Sequence, residues 1–412
     1  MNLDFFLFRD LKIPYRKLLA NVLLTSITLA FFYVFHALLV TKIFSGFEDE
    51  NNWIIAGTGF FYFSSIISVI IGAVLSEMFS RRKILLSWIT FGFISTALLF
   101  FFNSLILSLF SMVLIGISFG LGYPSSLAFL ADSTDVTERG RVSGLVIFIT
   151  FTIVFLSIFI SSFLNFEIIT LIMLSLFLRS TSFLALLLDP CEKQKKRVQS
   201  WTLILKNRKL ISYLFPWLIF SIANGLLLFL ELGLPQDLDY DSISAIGSVV
   251  QYASCGIFAL IAGTISDYFG RKQPIIIGLI LLGASYTLMG IVVHPVSWFI
   301  VLAFSGIAWG FLMVSLAMTA IGDLGTHGSR EKMYALASVI PLLGHMSFST
   351  IANLFNLQIP ANIISSFLSL ILFLSIIPIL RAKETLQESK IRGRKMKDYA
   401  EKVGKIIQES RK

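Results

Sequence analysis

Long apolar runs separated by short polar stretches set the pattern of this chain. A helix that crosses a bilayer needs about 20 apolar residues. Such runs fall at 18–44, 53–76, 84–103, 106–131, 143–165 and 167–188, and again at 210–234, 241–266, 274–293, 296–322, 333–354 and 359–381. The pattern predicts an all-α membrane protein with twelve transmembrane helices. An even number of crossings places both termini on one side. The one long polar break inside the chain is 189–209, which carries Lys193, Lys195, Lys196, Arg197, Lys206, Arg208 and Lys209. It divides the chain into two six-helix bundles, residues 18–188 and 210–381. An N-terminal segment, 1–17, and a basic tail, 382–412, flank them. The tail has apolar residues at helical spacing (Met396, Tyr399, Val403, Ile406, Ile407) and is expected to lie on a membrane surface.

The two bundles read as copies of one unit. Gly263–Lys272 runs G-T-I-S-D-Y-F-G-R-K, and Ala73–Lys83 runs A-V-L-S-E-M-F-S-R-R-K roughly 190 residues earlier. Glu77 answers Asp267, Ser80 answers Gly270 and Arg81 answers Arg271. The same offset nearly links Asp132 with Asp323 and Arg139 with Arg330. The chemistry suits a tight turn between two membrane helices. Gly263 allows close helix approach, and Gly270 permits a positive φ. Asp267 can accept hydrogen bonds from free N–H groups at another helix's N-terminus, where the helix dipole favours a carboxylate. Arg271 is placed to reach Asp323, and Arg81 to reach Asp132, each at the end of another helix.

Charge supplies the orientation. Charged residues make up 14% of the chain and mean hydropathy is +0.85, against about 25% charged in soluble domains. The net charge of +9 would fit nucleic-acid binding, but its placement argues otherwise. Of the 33 Lys and Arg, all but Lys42 and Arg179 fall outside the runs, or at the last residue of one (Arg381), on one side. That is the positive-inside pattern, so both termini are expected in the cytoplasm and the protein in the cytoplasmic membrane. Cys191 and Cys255 fall in the linker and in a span and are not expected to pair. No phosphate-binding Gly-Lys-Ser/Thr loop, His-Glu-x-x-His motif or metal-ligand spacing is present, so neither enzyme, cofactor nor metal is expected.

The arrangement resembles the major facilitator superfamily (MFS). The resemblance rests on Gly263, Asp267, Gly270, Arg271 and Lys272, on Glu138-Arg139-Gly140-Arg141 after the fourth run, and on Gly116, Gly120, Gly122 and Pro124 within it. It implies two pseudo-symmetric bundles that rock about a midplane site. Glu77, Arg81, Asp132, Arg139, Gly263, Asp267, Gly270, Arg271 and Asp323 would be gate residues, with Glu77, Arg81 and Asp132 tying the first half together and Asp267, Arg271 and Asp323 the second. The function implied is secondary transport of a small organic solute, with proton coupling as the expected drive and a monomer as the working unit. The alternatives are an exporter of amphipathic or toxic compounds and a solute-sensing membrane protein that moves nothing. Some positions depart from the family pattern. Glu77 replaces Asp, Ser80 replaces Gly, and Ser329-Arg330-Glu331-Lys332 is a degenerate copy. Met112 stands where many members carry an arginine tied to proton coupling, and the Gly-Pro-rich fifth-span motif of drug antiporters is missing.

Polar residues inside spans are costly and therefore candidates for substrate or coupling roles. His36, Arg179, Glu231 and His345 are the ionisable ones; Asn224, Gln251, Tyr252, Trp309 and Tyr62 (the counterpart of Tyr252) are uncharged. Arg179 lies deep enough to need a partner, and an anionic substrate would serve. The 40 phenylalanines read as lipid-facing and packing residues.

Overall fold

The computed structural model describes residues 11–101, 104–164, 166–188, 199–232, 240–292, 294–326, 328–355 and 360–389, with 391, 393, 396 and 403. Most of the first segment, the linker residues 189–198, Cys191 and most of the tail lie outside that set.

Twelve long helices follow one another. α1 is continuous from Tyr15–Asn21 through Ile27–Val34 to Val40–Phe44, with π-helical turns at Val22–Ser26 and Phe35–Leu39. Then come α2 (Glu50–Met78), α3 (Arg81–Ala97), α4 (Leu105–Ser133), α5 (Arg139–Leu164) and α6 (Ile168–Leu188). The second half has α7 (Arg208–Leu232), α8 (Tyr240–Phe269) and α9 (Lys272–Ile291). α10 begins as Pro295–Leu312 and passes through a π-helical stretch, Met313–Ala320, into Ile321–Leu324. α11 is Arg330–Phe355, and α12 runs Ala361–Leu374 and Ile376–Arg381. A short helix, Trp201–Leu205, precedes α7, its N-terminus capped by the Ser200 hydroxyl, which accepts from Leu203 N. No strand occurs among the described residues. Eleven helices there are long and apolar enough to cross a membrane, and α11, with 26 residues, completes the set.

Packing follows the duplication. Within the first half α2 lies on α4, and within the second its counterpart α8 lies on α10. Between halves α5 packs on α8, and by the same pseudo-symmetry α11 packs on α2. Small residues set how close these helices come. Ser65 and Ser68 of α2 donate to the Gly116 carbonyl of α4 at 3.1 and 3.3 Å. The α5–α8 crossing is closest where Gly140 faces Gly263: a Cβ on Gly140 would stand 2.6 Å from the Gly263 carbonyl oxygen. The outer surface is apolar. Phe60, Phe63, Ile67, Ile70 and Val74 recur every three or four residues along one exposed face of α2, as a lipid-facing helix requires.

Candidate functional site: a charged gate beneath an aromatic cavity

At the basic end of the molecule the loops between α2 and α3, α4 and α5, α8 and α9, and α10 and α11 converge on two charge clusters. The first is built on the α8–α9 turn. α8 ends at Phe269, Gly270 takes φ 103°, and α9 starts at Lys272. A side chain would strain the backbone at that φ. The turn aims the Arg271 guanidinium back under α8. Nη1 donates to Asp267 Oδ1 at 2.7 Å and to the Ser266 carbonyl at 2.9 Å, and Nε donates to Asp323 Oδ2 at 2.8 Å. Nη2 reaches across to the Val136 carbonyl of the first half at 2.5 Å. Burial alone would lower the Arg271 pKa; Asp323 and Asp267 outweigh it and hold the guanidinium above its ordinary range.

Asp267 also faces the other half. It accepts from the backbone N–H groups of Gly140 and Arg141 at 2.8 and 3.0 Å and from Arg141 Nε at 3.3 Å. These N–H groups open α5, so the carboxylate sits on unpaired donors at the positive end of a helix. Gly140 is required there, because a Cβ would stand 2.6 Å from Asp267 Oδ1. Asp323 in turn pairs with Arg139, which also donates to the Ala131 carbonyl at 2.6 Å. The side chains of Asp267, Arg271, Asp323 and Arg139 are at most 1% exposed.

The second cluster is the pseudo-symmetric copy. Arg81 Nη2 donates to Asp132 and to Glu331, both at 2.7 Å, and Arg330 pairs with Asp132. Lys332 pairs with Glu77 and donates to the Gln199 carbonyl at 2.6 Å. Arg81–Asp132 lies within the first half. Glu77, expected to tie that half together, instead meets Lys332 of the other half. Every cluster therefore has members from both bundles.

Two further acids brace the gate. Glu384, just past α12, accepts from the backbone N–H groups of Arg271 and Lys272 at 2.9 and 3.2 Å, while Lys272 Nζ caps the Leu380 and Ala382 carbonyls at 2.9 Å. Glu138 accepts from the backbone of Lys12 and Ile13. Sequence reasoning missed Arg141, Glu331, Lys332 and Glu384 as members of these clusters. The near-constant offset that linked Arg139 with Arg330 also links Arg141 with Lys332 and was the available signal.

Near mid-membrane, between the bundles, lies a narrow cavity of about 70 Å³. α1 contributes Phe32 and Tyr33, α4 Phe119 and Tyr123, α7 Trp217 and α10 Trp309, with Ser338 and Pro341 of α11. No charged side chain among the described residues lines it. Each contributing helix has a break in its regular hydrogen bonding. α1 and α10 carry π-helical turns, and α4, α7 and α11 carry Pro124, Pro216 and Pro341. Such breaks are where helices bend.

The remaining candidates scatter around this cavity. Trp309 is in its wall and donates to Asn224 Oδ1 at 3.1 Å. His36 stacks on Tyr62 with centroids 5.2 Å apart and touches Phe32 and Phe61. Tyr252 lies beside Tyr33 and Phe151. Gln251 donates to Ser305 Oγ at 3.0 Å, within the second half. Arg179 is in the interior of the first half, over the Phe31 ring at 3.8 Å and donating to Ser118 Oγ at 2.9 Å. The side chains of Glu231 and His345 lie outside the described residues.

Two pseudo-symmetric helical bundles, meeting at two charge clusters at the basic end and enclosing an aromatic cavity, have the architecture of a two-bundle membrane transporter. The family model described as Major Facilitator Superfamily matches residues 18–250 and 229–407; the chain belongs to that superfamily. Among solved structures it is similar to the human organic anion transporter MFSD10 (TETRAN), with a TM-score of 0.68 and 14% sequence identity over 88% of this chain and 99% of that one. Identity that low speaks for the fold alone. No curated protein sequence matches the chain.

Proposed function

We propose that the protein is a secondary transporter that moves a small organic solute by alternating access, with the basic end in the cytoplasm and both termini on that side of the plasma membrane. It works as a monomer, and a proton gradient drives it. The observation that carries this reading is the gate: Asp323–Arg139, Asp132–Arg330, Glu77–Lys332 and Asp267–Arg141 each join one bundle to the other beneath the cavity. Charges paired in this form must separate and meet water when the bundles rock the other way. A two-state switch needs such a difference between its states. A closed basic end belongs to the outward-facing or occluded part of such a cycle.

The test is a distance. Spin labels at Thr137 and Thr326, in gate loops of opposite halves, should show two populations whose ratio responds to a proton gradient and to transported solutes. One fixed distance under all conditions would remove the transporter reading in favour of a solute sensor. A second reading, export of amphipathic or toxic compounds, draws on the uncharged aromatic lining. Tracer flux in right-side-out and everted vesicles separates the two directions.

A further inference from the structure

Among the described residues Arg179 differs from the other buried arginines. It is 8% exposed. It lies about eleven residues along α6 from Ile168 and nine from Leu188, roughly 15 Å from either end at about 1.5 Å per residue. Lipid headgroups are out of reach at that depth. A guanidinium carries five N–H donors, yet here one bond goes to Ser118 and the ring face of Phe31 takes the rest of the contact. No carboxylate pairs with it among the described residues, whereas Arg81, Arg139, Arg141, Arg271 and Arg330 each have one. The surroundings are shaped for the group: a Cβ on Gly92 of α3 would stand 1.9 Å from Arg179 Nη1. An arginine stays protonated in proteins, and a buried charge with no counter-charge is costly. Intramembrane charges of this kind mark ligand or ion sites by default.

The cavity is one residue away along two helices. Phe31 holds the guanidinium and Phe32 lines the cavity; Ser118 binds the guanidinium and Phe119 lines the cavity. Phe32 and Phe119, both in the cavity wall, stack on one another with centroids 4.7 Å apart. Among the described residues the cavity itself offers aromatic faces and no charged group. We propose that Arg179 is the anion-recognising residue of this cavity and that the solute is an organic anion with a flat apolar body. The body packs against Phe32, Tyr33, Phe119 and Trp309, and its carboxylate-type group reaches Arg179 once Phe32 or Phe119 turns aside. A single positive charge in a dry setting draws anions and repels amines, which an aromatic cavity alone would welcome through cation–π contact.

This inference rests on the transporter reading, and its experiment separates the two. Benzoate, phenylpropionate and naphthoate, each with its neutral amide and its amine counterpart, are titrated against the purified full chain with quenching of the cavity tryptophans, Trp217 and Trp309, as the readout. The parental protein should bind at least one carboxylate tenfold or more tighter than its amide and amine. Arg179→Met should bring all three within twofold of one another and melt no lower than the parent, because an unpaired buried charge has gone. Arg179→Lys keeps the charge and should keep the order of preference with weaker binding. Equal binding of the three forms by the parent, no binding of any carboxylate, or an anion preference that survives in Arg179→Met would each overturn the proposal. Tracer uptake into proteoliposomes is read separately. Arg179-dependent binding without uptake removes the transporter reading and leaves the anion site. Uptake of an amine or amide that is unchanged in Arg179→Met does the reverse.

Discussion

The two halves of the gate use the same plan with different depth. On the α8–α9 side, Asp267 is fully buried and sits on the N–H groups that open α5, while Asp323 holds two arginines; the side chains of Asp267, Asp323, Arg139, Arg141 and Arg271 are at most 2% exposed. On the α2–α3 side, Arg81, Asp132 and Arg330 are 12, 7 and 11% exposed, and Glu77 reaches 26%. Two residue choices account for the contrast. Gly140 lets a short acid approach the helix backbone. Its counterpart Glu331 blocks that approach and sends its own carboxylate to Arg81. The longer acid, Glu77, then meets the Lys332 side chain across the halves. One side is a helix cap buried with its counter-charges; the other is a ring of side chains open to water at its rim. Buried pairs lose several kcal/mol when one partner is removed, whereas wetted pairs lose little. The closed form should therefore lean on the α8–α9 side.

The largest effect is expected at Asp323. Asp323→Asn leaves Arg139 and Arg271 buried with less counter-charge, which should cost the closed form about 3–5 kcal/mol. Asp132→Asn, between two partly wetted arginines, should cost about 1–2 kcal/mol. The Thr137–Thr326 spin-label distance reads both: the first variant should populate the open basic end almost fully, the second only in part. Equal shifts would erase the contrast. Next comes Gly140→Ala. Its methyl group would push on Asp267 Oδ1 and the Gly263 carbonyl, both 2.6 Å away, and backbone cannot yield cheaply. Overpacking of this kind costs about 1–3 kcal/mol, so transport should fall at least fivefold. The mirror change, Glu331→Ala, removes one of two carboxylates on Arg81 and should leave more than half the parental rate.

Much of this charge pairing was legible in the residues. The repeated offset picked out Asp132, Asp323, Arg139 and Arg330, and the pairs Arg81–Asp132 and Arg271–Asp323 follow from helix ends that adjacent loops bring together within one half. The crossing pairs were not legible. Which helix end of one bundle abuts which loop of the other depends on how the bundles dock, and no local pattern encodes that; Glu77 was accordingly assigned to its own half. The cavity was harder still. Nothing in the sequence separates Phe32 and Phe119, which line it, from Phe60 and Phe63, which face outward. Tyr62 and Tyr252 share a place in the repeat but not surroundings, because Tyr62 stacks on His36 while Tyr252 lies beside Phe151. The depth of Arg179 was readable from its position in the sixth run. Its lack of a carboxylate was not, since that depends on what α1, α3 and α4 present to it.

The smallest expected effect is at Glu77. Glu77→Gln removes the most exposed carboxylate among the ion pairs of the two clusters, and Lys332 keeps its bond to the Gln199 carbonyl and its place over the Trp201 ring, 5.2 Å away. An ion pair with one wetted partner contributes at most about 1 kcal/mol, so the spin-label populations should move by less than fivefold. Salt sharpens the point. Screening acts on exposed charges far more than on buried ones, so raising ionic strength should weaken the parental gate slightly and the Glu77→Gln gate less. If Glu77→Gln instead opens the basic end as fully as Asp323→Asn, the wetted side is the stronger one and burial is not what orders the two.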